Sequence, residues 1–66
     1  MSRQHALDLL RRRVGSQRAI ADALGVDPRT VSRWATNAIE IPEYVVAIAE
    51  LLAALPLKDW PERWHR

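Results

Sequence analysis

Within the stretch "ALGVDPRTVSRW", Gly25 and the pair Asp27-Pro28 dictate where one helix stops and another starts. Glycine adopts the left-handed conformation that closes a helix at little steric cost. Aspartate is a strong helix N-cap, and proline suits the first helical position, where its missing N–H would be unused. The spacing therefore predicts a helix ending near Leu24, a sharp reversal of about three residues, and a new helix from Pro28.

The same punctuation organises the rest of the chain. Ala6, Leu7, Leu10 and Val14 recur at helical spacing, predicting a first amphipathic helix over residues 2–14, closed by Gly15. Arg11, Arg12 and Arg13 fall in its last turn, where cations suit the helix dipole. Ser16 is an N-cap for a second helix to about Leu24, with Ile20 and Leu24 on its buried side. The third helix has Val31, Trp34 and Ala35 as its apolar positions. "ATNAIEI" connects it to a fourth helix over residues 42–55, opened by Pro42 and stopped by Pro56. Residues 56–66, "PLKDWPERWHR", form a tryptophan-containing tail folded back as a short turn or single helical turn. The expected architecture is all-α, a compact four- to five-helix domain spanning residues 1–66.

A chain of 66 residues buries only about 60% of its unfolded surface, so help from a second chain is plausible. With no cysteine it has no disulfide and no thiolate metal site, and packing must stabilise it. No metal site or cofactor is expected. The apolar runs fall short of the roughly 20 residues that span a bilayer, and "QHALDLLRRR" lacks the apolar centre of a signal peptide, so no membrane association is expected and a cytoplasmic location follows by default. The net charge of +2 is unevenly spread. Residues 1–37 hold seven arginines against three aspartates, whereas residues 38–66 hold three basic and five acidic residues. The first half is the half suited to meeting a polyanion. His5 and His65 lie near opposite ends with no carboxylate pair beside either, and no phosphate-cradling glycine loop exists, which argues against an enzyme.

Two helices joined by a short glycine-containing turn make a helix-turn-helix, here over about residues 17–36. Counting from Gln17, small Ala21 stands where the next helix crosses closely, Gly25 where the chain reverses, and Ile20, Leu24, Val26, Val31 and Trp34 where the pair must adhere to a core. "GSQRAIADALGVDPRTVSRW", followed by "IPEYVVAIAEL", resembles the lambda-repressor-like helix-turn-helix family, of Cro and cI type, over residues 7–55, and looks most like its small Cro-like and YdaS-like branch. The fourth helix is also loosely similar to that of anti-CRISPR-associated autorepressors. The resemblance implies that Ser16 and Gln17 touch DNA phosphate, that Asp27, Pro28, Arg29, Ser32 and Arg33 face base edges in the major groove, and that Thr30 faces a backbone strand. Pro28 departs from the family pattern. It has no N–H and offers only methylenes, suited at best to a thymine methyl.

Arginine chemistry favours the same face independently. Arg29 and Arg33 stand one turn apart, and arginine bidentate to guanine is the commonest specific base contact; the alternative is that they bind phosphate or remain solvated. Arg18, a cation in a first turn that the dipole disfavours, either meets a phosphate or pairs with Asp22. Arg11, Arg12 and Arg13 form either a solvated helix end or a diffuse attraction for phosphate. Asn37 either donates to a phosphate or caps the third helix.

"EYVVAIAELLAALP" is apolar on two stripes, Val45, Ile48, Leu52 and Leu55 on one, Tyr44, Ala47, Leu51 and Ala54 on the other. A small core can cover only one of them. The expected partner is a second copy, through Tyr44, Ala47, Ile48, Leu51, Leu52, Leu55 and Trp60, with Trp60 and Trp64 either closing the core or flanking the interface. The reading is a homodimeric transcriptional regulator, a repressor or autorepressor of a phage, plasmid or mobile element, that binds a pseudo-palindromic operator in double-stranded DNA. The alternative is an antitoxin-like module whose fourth helix grips a toxin or another protein.

Overall fold

The computed structural model describes residues 1–65; Arg66, the end of the expected tail, lies outside the described residues. Four α-helices run in order, α1 (Arg3–Val14), α2 (Gln17–Leu24), α3 (Pro28–Ala35) and α4 (Glu43–Ala54), followed by two single-turn 3₁₀ helices, Leu57–Asp59 and Glu62–Trp64. Each boundary has a local cause. Ser2 and Ser16 accept hydrogen bonds from the backbone N–H groups of His5 and Ala19, capping α1 and α2. Gly15 and Gly25 take positive φ, 98° and 74°, and close those helices. Asp27 Oδ1 accepts from Arg29 N–H at 2.8 Å, and Pro28 begins α3. Pro42 is the N-cap of α4 without a side-chain hydrogen bond, and Glu43 places an acid in its first turn, where the dipole favours it.

Helix α1 packs on α4, and α2 packs on α3 and, more lightly, on α1. Their buried apolar faces join into one core. The four α1 positions predicted from spacing, Ala6, Leu7, Leu10 and Val14, are all buried in it. From α2 the buried set is Ile20, Ala21 and Ala23, with Leu24 packed partly against it, and from α3 it is Val31 and Trp34. Ala21 has no exposed surface, as its small size at the α2–α3 crossing requires.

The buried face of α4 is Val45, Val46, Ala49 and Leu52, rotated from either stripe expected. Positions 45, 49 and 52 follow helical spacing, and Ala49 is small where another element comes close. Leu52 is only 2% exposed, which corrects its assignment to the dimer interface: its side chain fills the core of its own chain. Leu55, in extended conformation as the α4 C-cap before Pro56, is exposed, and Ile48 is half-buried against the core.

The tail clamps two helix ends. Trp60 Nε1 donates to the carbonyls of Leu52 and Leu55 at 3.0 and 3.1 Å, at the end of α4, where Leu52 O also accepts the N–H of Leu55. Arg63 Nη1 donates to Ala23 O near the end of α2 at 3.0 Å, and His65 Nε2 meets Trp60 O at 2.9 Å. Both tryptophans close the core, so the assignment of Trp60 to the dimer interface is also corrected; it is 5% exposed and its one polar atom is satisfied internally. Arg13 lies over the Trp60 ring, 5.9 Å from its centre.

Candidate nucleic-acid interface

Helix α3 presents opposite sides to the core and to solvent. Val31 and Trp34 are buried beneath it, whereas Pro28, Arg29, Ser32 and Arg33 are exposed, as is Asp27 at its start. The packing on α2 sets the roll of the helix, and the roll turns the arginines outward. No acidic group lies within salt-bridge distance of Arg29 or Arg33 among the described residues, so both guanidiniums keep their donors for another partner. The ion pairs formed lie elsewhere: Arg3 reaches Glu40 and Glu43, and the N-terminal amine reaches Glu50.

The residues implied to touch phosphate lie at the start of α2, within α3 and just beyond its end. Ser16 uses a lone pair in capping α2, leaving its hydroxyl proton to donate, and Gln17 stands half-buried at the first position of the helix. Arg18 is exposed and makes no ion pair with Asp22, so that alternative is not realised. Thr30 is half-buried. Asp27 commits one carboxylate oxygen to the cap and is itself exposed.

The end of α3 is built by Thr36 and Asn37 together. Thr36 Oγ1 donates to Ser32 O at 3.1 Å. Asn37 takes φ 62°; its N–H bonds Trp34 O, and the N–H of Ala38 bonds Arg33 O. This is the paired closure of a helix C-terminus, with asparagine in the place usual for glycine. Sequence reasoning missed Gln4, whose Nε2 donates to Trp34 O and to Asn37 Oδ1 and so ties the start of α1 to the end of α3. The partners stand 30 and 33 positions away, and no local pattern signals such contacts.

A buried apolar pair beneath an outward-facing basic helix, entered through a glycine turn, defines a helix-turn-helix protein, a DNA-binding class. A family model described as a homeodomain-like domain matches residues 2–38, which cover α1 to α3, and the chain belongs to that family. No curated protein and no solved structure matches the chain. Among the described residues no helix is long and apolar enough to cross a membrane.

Proposed function

We propose that the protein is a homodimeric, sequence-specific transcriptional regulator of the Cro-like type, acting as a repressor or autorepressor of a phage, plasmid or mobile element. The observation that carries this reading is the outer face of α3, where Arg29, Ser32 and Arg33 are exposed above buried Val31 and Trp34. That face enters the major groove, with Asp27 and Pro28 at its leading end. Ser16, Gln17, Arg18, Thr30 and Asn37 hold the phosphates on either side. Occupying a promoter blocks transcription without any chemistry, so neither a catalytic group nor a cofactor is involved.

The dimer reading draws on α4. Tyr44 and Leu51 are 47% and 62% exposed, with Ala47 exposed between them, and Leu55 and Leu57 extend the apolar surface. Helix α4 packs on α1, while α3 packs on α2, so a partner on α4 leaves α3 free for DNA. A two-fold axis there gives two recognition helices, which a palindromic operator meets at half-sites about 34 Å apart. The same patch also fits the antitoxin-like reading, in which another protein covers it. The mass of the purified protein in solution separates the two, since a stable dimer leaves the patch occupied.

Footprinting on the DNA upstream of the protein's own gene tests the whole reading. Protection of a two-fold site is expected, and its absence favours the partner-protein alternative. Arg33→Ala is expected to lose about 1–3 kcal/mol on the protected site and little on random DNA. Equal losses on both reduce Arg33 to a phosphate contact. By contrast, Gln17→Ala is expected to weaken all sequences alike, as loss of a phosphate contact does.

A further inference from the structure

We propose that Gln4 is a positioning residue for DNA binding: it orients the side-chain amide of Asn37 so that the Asn37 NH2 group faces outward, ready to donate to a phosphate. This rests on the reading of Asn37 as a phosphate contact. The Trp34 carbonyl can only accept, so the Gln4 side-chain atom 3.3 Å from it is the amide nitrogen, a donor. The same nitrogen lies 2.5 Å from Asn37, so the Asn37 atom facing it must be the acceptor, Oδ1. The oxygen of Asn37 is thus turned inward, and Nδ2 takes the other arm of the planar amide.

The base of that side chain is held as well. Asn37 N–H bonds Trp34 O at 3.2 Å and Ala38 N–H bonds Arg33 O at 2.9 Å, which fixes the left-handed turn on which the side chain stands. Asn37 is exposed, and its Nδ2 has no hydrogen-bond partner among the described residues.

The orientation matters because of where Asn37 sits. It follows the C-terminal end of α3, the part of a recognition helix that approaches the DNA backbone. There the dipole is negative, which is unfavourable to phosphate, and the backbone N–H groups of Thr36, Asn37 and Ala38 are already spent on carbonyls of the helix. A donor has to come from a side chain. An unrestrained asparagine samples both amide orientations before DNA arrives and loses that freedom on binding, since phosphate takes only the NH2; Gln4 sets the productive orientation in advance.

The test measures binding to a random-sequence duplex of about 30 base pairs at roughly 50 mM salt, where phosphate contacts dominate affinity. Asn37→Ala is expected to weaken binding about tenfold, the loss of one hydrogen bond to a charged acceptor. Gln4→Met keeps the stem but loses the donor, and is expected to weaken binding about threefold in the native background and not at all in Asn37→Ala. Gln4→Glu turns the Asn37 NH2 inward, so it is expected to weaken binding at least as much as Asn37→Ala does. In the Asn37→Ala background only the smaller effect of the added charge remains. An NMR titration of the native protein is independent of any folding defect: duplex DNA should move the Asn37 side-chain NH2 resonances and leave those of Gln4 in place.

A native protein that does not bind the duplex overturns the DNA reading and this inference together. Native-like binding by Asn37→Ala, or an Asn37 NH2 pair unmoved by duplex, overturns the phosphate contact. If Asn37→Ala weakens binding while Gln4→Met has no effect, or the same effect in both backgrounds, the positioning role of Gln4 alone is overturned.

Discussion

Trp34→Ala is expected to destabilise the protein by about 3–5 kcal/mol, the usual loss for truncating a buried aromatic residue. Trp34 is only 2% exposed and is the largest of the fully buried side chains. For a chain of this length, total stability of roughly 0.05–0.15 kcal/mol per residue amounts to about 3–10 kcal/mol, so the substitution removes much of what holds the fold. Trp34 is also where α3 is seated, and neighbouring Arg33 faces outward only while the indole stays in. Thermal unfolding followed by circular dichroism is the measurement, with a melting temperature far below that of the native protein expected. A change of only a few degrees would show that Trp34 is peripheral to the core.

Leu51→Glu is expected to convert the proposed dimer to monomers and to weaken operator binding by about 10²–10⁴-fold, the avidity gained by joining two half-sites. Leu51 is 62% exposed within its own chain, and glutamate is as good a helix former as leucine, so the fold should survive. In an interface, however, the substitution buries an unpaired carboxylate. Light scattering reads the mass and a gel-shift titration reads the affinity. A variant that remains dimeric sinks the assignment of this face. A native protein already monomeric sinks the dimer itself, without touching the α3 reading.

The helix-turn-helix was legible because its determinants are local. Ser16, Gly25 and Asp27-Pro28 act on backbone groups within three or four residues, so their effect depends little on the rest of the fold. The exposed arginine face was legible for a related reason: once Val31 and Trp34 are assigned inward, helical geometry sends Arg29 and Arg33 outward. Helix α4 was less legible. An element apolar on nearly every side carries no pattern saying which stripe is buried, and Leu52 was placed at an interface when it belongs to the core. Trp60 was misplaced for a similar reason, since an amphipathic indole suits an interface as well as a core with a hydrogen-bond acceptor.

The sequence by itself determined where the helices begin and end, that they form a helix-turn-helix, and which side of α3 bears the basic residues, because capping and periodicity operate over a single turn. Only the tertiary structure decided which face of α4 is inside, that Trp60 and Arg63 cap the ends of α4 and α2, and that Gln4 reaches Asn37. These contacts depend on how separate helices are brought together. The hydrogen bonds of the tail, and one of the two made by Gln4, go to backbone carbonyls, which every residue possesses, so the identity of the partner leaves no mark in the sequence; the other bond of Gln4, to the Asn37 side chain, spans 33 positions, beyond the reach of any local pattern.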